Sequence, residues 1–110
     1  MTLHGVVGSG KQYDSQVRKW GGAQLPFAPY HGTLNVGFTP SLTRDFIDTL
    51  EPLHPFKDFV GVWGKIRGVR VLCCYSIHGS ELVNTFYIIA EQHLRTLLGL
   101  VDGDRIEVEI

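Results

Sequence analysis

The sequence predicts an all-β fold with short helices, a small six-stranded closed β-barrel. Three observations carry this. Most apolar runs are short, rich in Val, Ile, Phe and Tyr, and bounded by Gly, Pro or Asp turns. Helical spacing of apolar residues is confined to brief stretches. An open sheet of so many short strands would leave exposed edges, which closure removes.

Taken in order, residues 3–7 open as a short strand and run into Gly8-Ser9-Gly10-Lys11, a loop with backbone freedom and a cation. Residues 12–20 are polar and compatible with a short helix, which Gly21-Gly22 ends. Residues 25–30 hold Pro26 and Pro29 and form an extended connector, followed by a strand over 33–38. Thr39-Pro40-Ser41 has the chemistry of a helix start, with Leu42, Phe46, Ile47 and Leu50 at helical spacing behind it. Glu51-Pro52-Leu53-His54-Pro55 breaks that helix. Residues 59–63 and 69–77 are β-rich and joined by Gly64-Lys65-Ile66-Arg67-Gly68 as a hairpin, and 82–90 is another strand. Residues 91–98 fit an amphipathic helix with Leu94, Leu97 and Leu98 on its buried side and Gly99 as C-cap. Val101-Asp102-Gly103-Asp104 is a turn before a last half-buried strand over 105–110, where Ile106, Val108 and Ile110 alternate with polar residues.

At 110 residues the chain is read as one domain, 1–110, with 44% hydrophobic and 19% charged residues, a globular composition. A net charge of −1 argues against a broad nucleic-acid footprint, Lys11, Arg18 and Lys19 being the nearest approach to a basic patch. No apolar run reaches the length of a membrane span, and Met1-Thr2-Leu3-His4 lacks the features of a signal peptide. A cytoplasmic location without a membrane partner is the expectation. Adjacent Cys73 and Cys74 point to opposite faces of a strand, so they are read as reduced packing residues. The five histidines give no zinc-ligand spacing, and the pattern sets no oligomeric state.

The most informative segment is Pro29-Tyr30-His31-Gly32-Thr33-Leu34-Asn35-Val36. On a strand, Thr33 and Asn35 point to one side, so a hydroxyl and a carboxamide face one point in space. Two neutral oxygens suit a hard cation such as Mg²⁺, which prefers oxygen ligands and bridges to substrate phosphates. The same residues also make an ordinary turn followed by an ordinary alternating strand. Chemistry alone leaves both readings open.

Four segments in order resemble the archaeal CTP-dependent riboflavin kinase family, small six-stranded barrels of the cradle-loop type. They are Gly5-Val6-Val7-Gly8-Ser9-Gly10; the octapeptide, close to the family's Pro-Tyr-x-Gly-Thr-Leu-Asn-Leu; Phe59-Val60-Gly61-Val62 with the stretch 68–81; and Ile88-Ile89-Ala90 through Leu94-Arg95 to Leu100-Val101-Asp102-Gly103-Asp104. The resemblance implies a phosphotransferase that uses CTP to convert riboflavin to FMN, with Thr33 and Asn35 holding Mg²⁺. It implies nucleotide contacts at Gly8, Ser9, Gly10 and Lys11 and at Gln92, His93, Leu94 and Arg95. Ser76 falls where the family has a flavin-contacting threonine, and Tyr87 where it has a flavin glutamate. Glu81 is the nearest carboxylate. The first loop also lacks the later glycines of the family's Gly-x-Gly-x-Gly run, and the hairpin near 64–68 is shorter than the family's. The catalytic base is unassigned, His31 and Glu81 being candidates on chemistry alone. The departures suggest one rival, a nucleotide- or flavin-binding barrel without kinase activity; a second, a DNA-binding or assembly barrel, rests on the segment Leu98-Gly99-Leu100-Val101-Asp102-Gly103-Asp104-Arg105-Ile106-Glu107-Val108, which resembles related dimeric transcription-factor folds, and the near-neutral charge opposes it.

Overall fold

In β1 (Thr2–Gly8), Leu3, Gly5 and Val7 are buried while Thr2, His4 and Val6 stay exposed, the alternation that a strand with one face on a core imposes. The structure is a computed structural model, which describes residues 1–8, 27, 34–50, 53–56, 59–76 and 82–110. β2 (Leu34–Thr43), β3 (Leu53–Phe56), β4 (Phe59–Ile66), β5 (Val69–Ser76), β6 (Leu82–Ile89) and β7 (Arg105–Glu109) follow, with helices α1 (Arg44–Ile47) and α2 (Leu94–Leu98).

Antiparallel pairing runs β4-β5-β6-β2-β1-β7, and a Lys65↔Glu109 pair returns β7 to β4. Six strands thus close the expected barrel. β3 is an additional strand beside β4, which it pairs from Leu53↔Val62 to Phe56↔Phe59. The edge of β4 is therefore shared between β3 and β7. At the closure point Gly64 allows the chains to meet, since a Cβ there would lie 2.6 Å from the Glu109 carbonyl oxygen.

The interior is apolar. Val36, Val62, Ile66, Val71, Phe86, Ile88 and Val108 are fully buried. Phe86 meets Phe38 edge-on at 4.9 Å and stacks on Tyr75 at 5.9 Å between centroids. Each such side chain contributes about 1.5–3 kcal/mol by leaving water, so this core holds the fold. Helices of 4 and 5 residues are too short to persist without it. A second cluster lies on the other face of the sheet, where buried Leu72, Cys74 and Ile89 are packed against by Phe27, Phe59, Trp63 and Tyr87.

Several elements depart from expectation. The helix expected from Pro40 starts at Arg44 instead, because β2 continues past a cis Thr39–Pro40 peptide and pairs again with β6 at Leu42↔Val83 and Thr43↔Leu82. Ladder hydrogen bonds win over the local helix signal. The capping hydroxyl is then that of Thr43, which accepts from the Phe46 N–H at 3.2 Å. Ile47 and Leu50 still reach the core, with Leu42 and Phe46 packed against it. The predicted breaker around Leu53 is strand β3, whose Pro55 is tolerated on an edge. The hairpin turn is only Arg67-Gly68, with φ of 49° and 80°, the left-handed pair that matches strand twist. α2 begins at Leu94, and Leu97 is exposed at 52% while Leu94 and Leu98 pack inward. Gly99 does cap it in the left-handed conformation, and the Leu100 N–H donates to the Arg95 carbonyl at 2.9 Å. Cys73 and Cys74 do face opposite sides, one in each cluster. Expectations for 9–26 and 28–33 lie outside the described residues. No helix among the described residues is long and apolar enough to cross a membrane.

Candidate functional site

Because Leu34 and Val36 point into the barrel, strand alternation turns Asn35 to the outer face. It is nevertheless only 4% exposed, the single buried polar side chain among the described residues. Burying a carboxamide is unfavourable unless its polar atoms are engaged, so an Asn held this way on an outer face is a positioned group.

Strand register says what stands beside it. Asn35 is opposite Gly8 on β1 and opposite Tyr87 on β6; Tyr87 is in turn opposite Cys74 on β5. Three sequence-predicted groups, the start of the glycine loop, the metal carboxamide and the flavin position, thus form one row across adjacent strands. At the usual strand spacing Gly8 and Tyr87 are about 10 Å apart, with Asn35 midway. Beyond Tyr87 the row becomes apolar. Tyr87 meets Phe59 edge-on at 6.3 Å, and Ser76 stands opposite Phe59 on β5. Ser76 and Tyr87 therefore flank one ring. Burial pushes the thiols up, Cys73 to about 12 and Cys74 well above 9.0, so Cys74 serves this wall as a neutral packing group.

The nucleotide positions near α2 divide. Leu94 is buried and anchors the segment in the core, whereas Gln92 and His93 are exposed and His93 Nδ1 lies 2.7 Å from Thr96 Oγ1. Arg95 reaches across to β1. Its Nη2 donates to the Gly8 carbonyl and lies 2.7 Å from Asp102 Oδ1. This joins the second predicted nucleotide segment to the first. Ser9, Gly10, Lys11, His31, Thr33 and Glu81 lie outside the described residues.

Two features escaped sequence reasoning. Asp102 had a visible signal, the Asp-Gly-Asp turn, but no role without a contact to assign it. The outer wall of Phe59 and Trp63 had none, because an outward aromatic on a strand is indistinguishable in sequence from an exposed one.

The family model for CTP-dependent riboflavin kinase domains, described as domain of unknown function DUF120, matches residues 4–110. A riboflavin kinase of Pyrobaculum calidifontis is 32% identical over 99 residues, covering 79% of this chain and 46% of that protein. One of Methanocella arvoryzae is 36% identical over 97 residues, covering 79% and 44%. One of Methanoregula boonei is 32% identical over 126 residues, covering 99% and 57%. The chain spans about half the length of the curated relatives it matches. With its barrel closed as described and the match running from His4 to Ile110, the chain belongs to the CTP-dependent riboflavin kinase domain family.

Proposed function

We propose that this chain transfers the γ-phosphoryl group of CTP to the 5′-hydroxyl of riboflavin, giving FMN and CDP. The observation that supports this reading is the register Gly8–Asn35–Tyr87, in which the residues read as loop start, oxygen donor and flavin position are strand neighbours.

Phosphoryl transfer asks mainly for positioning and charge neutralisation. In this reading the amides of residues 8–10 and the Lys11 ammonium hold phosphate oxygens, while Gln92, His93 and the backbone at Leu94 border the cytidine. Arg95 supports the loop that they share. Ser76, Glu81 and Tyr87 orient the flavin so that its ribityl hydroxyl oxygen meets the γ-phosphorus in line with the departing β–γ bridging oxygen. A new P–O bond forms as the old one breaks, and the hydroxyl proton is released.

The buried Asn35 carboxamide, a hard neutral donor facing away from the core, fits a Mg²⁺ ion, and in this reading Thr33, outside the described residues, would give a second oxygen. When bound, Mg²⁺ neutralises charge on the phosphate oxygens. Riboflavin and a nucleoside triphosphate are the partners this reading assigns, and the cytoplasm is where both are met.

The test is FMN formation from riboflavin and Mg²⁺ with ATP, GTP, UTP or CTP in turn, read by chromatography with fluorescence detection. FMN with CTP is expected. Absence of FMN with every nucleotide, while CTP still binds, overturns the kinase reading in favour of a binding barrel.

A further inference from the structure

Four strands contribute to one row where the barrel closes. Thr2 stands opposite Glu109, Glu109 opposite Lys65, and Lys65 opposite Arg70, so one outward position each from β1, β7, β4 and β5 lies side by side. Trp63, two residues before Lys65 on β4, shares that face. Together these residues line a groove of about 400 Å³, within the size range of small-molecule sites. It shares no residue with the Gly8–Asn35–Tyr87 row.

Like charges directly opposite each other weaken a strand pair, yet Lys65 and Arg70 are such a pair. Arg70 lies over Trp63, its guanidinium carbon 3.8 Å from the ring centroid. The indole is a fixed platform, since Trp63 packs against the buried Leu72 cluster and its ring centroid is 5.8 Å from that of Phe27. A guanidinium over a ring keeps its N–H donors, which lie in its own plane, for other partners. Arg67 donates to the Leu98 carbonyl at 2.9 Å and Arg95 to that of Gly8. Among the described residues no acceptor takes a donor of Arg70, and neither Arg70 nor Lys65 has an ion pair. Two cations thus face a groove whose apolar surface comes from Trp63, Met1 and Ile110. The Glu109 carboxylate beside Lys65 opposes a doubly charged ligand and leaves a singly charged anion favoured.

We propose that this groove binds a small carboxylate with an apolar or aromatic body. The Arg70 fork takes the two carboxylate oxygens, Lys65 adds a second positive charge, and Trp63 borders the apolar part. The site is independent of the kinase reading, because none of the residues assigned to CTP, riboflavin or Mg²⁺ lines the groove.

The test titrates benzoate, and benzamide as its neutral isostere, into isotope-labelled protein and follows the N–H signals by nuclear magnetic resonance. Expected are saturable benzoate shifts at the Trp63 indole and at the Lys65 and Arg70 amides, with benzamide weaker by roughly tenfold or more. Arg70→Gln is expected to weaken benzoate by roughly tenfold or more and Lys65→Gln by about threefold, while Arg95→Gln stays within about twofold of wild type. Spectra of the free variants check that each remains folded. Absence of shifts at Trp63, Lys65 and Arg70 in wild type overturns the proposal, and so does benzamide binding as tightly as benzoate. Unchanged benzoate affinity in a folded Arg70→Gln, or an equal loss in Arg95→Gln, overturns it as well.

Discussion

Asn35 and Tyr87 stand directly opposite each other on β2 and β6, both turned to the outer face of the barrel, with Gly8 on the far side of Asn35. In the proposed reading, Asn35 thus stands between the residue that opens the phosphate loop and the one at the flavin position.

Asn35→Ala is accordingly expected to lower FMN formation by roughly a hundredfold, with a weaker response to added Mg²⁺. Removing the buried carboxamide also costs about 1–3 kcal/mol of stability, so urea unfolding accompanies the assay. A folded variant with an unchanged rate would remove Asn35 from the site.

Tyr87 separates ring from hydroxyl. Tyr87→Phe keeps the edge contact with Phe59, worth about 0.5–1.5 kcal/mol, while Tyr87→Ala loses it. Riboflavin affinity, followed by fluorescence quenching, is expected to fall about tenfold or more in Tyr87→Ala and CTP affinity to stay within about threefold. Parallel loss of both would place Tyr87 elsewhere in the mechanism.

The buried thiols make stability depend on alkaline pH. An unfolded cysteine titrates near the ordinary 9.0, whereas Cys73 is pushed up to about 12. Between those values the unfolded chain releases a proton that the folded one retains, so stability falls as pH rises. The slope approaches about 1.4 kcal/mol per pH unit for each thiol. Urea midpoints should be insensitive to these groups below 9.0 and decline above it, and Cys73→Ala should remove its share.

Gly64→Ala tests barrel closure. The added methyl meets backbone, the Glu109 carbonyl at 2.6 Å, and neither strand can yield without disturbing Lys65↔Glu109. A loss of about 1–3 kcal/mol is expected, with faster amide exchange at Lys65 and Glu109. Gly68→Ala, which meets nothing within 4 Å but sits at φ 80°, should cost about 1 kcal/mol and leave exchange at the closure unchanged.

Much of this was legible in the residues. Alternation in 3–7 and 105–110 fixed which side chains of β1 and β7 face inward, because a strand has period two whatever its neighbours do. Gly99 marked the end of α2 for an equally local reason, the left-handed conformation it adopts. The octapeptide already singled out Asn35. The start of α1 differs from the local signal because Thr39, Pro40 and Ser41 have helix-start chemistry, while β6 pairing with Leu42 and Thr43 decides the conformation there. β3 is hidden by Pro55 within it and Pro52 just before it, and the two-residue turn Arg67-Gly68 by Gly64, which reads as a turn residue but lies in β4.

The barrel class and the inward residues were legible in the chain itself, since they follow from strand count and local periodicity, whereas the groups read as the site came from the resemblance of its motifs to a known family. Only the tertiary structure decided that Gly8, Asn35 and Tyr87 share one row and that Arg95 joins Gly8 to Asp102. Strand register and a contact across 87 residues of chain are set by the packing of the whole core, which no local pattern encodes.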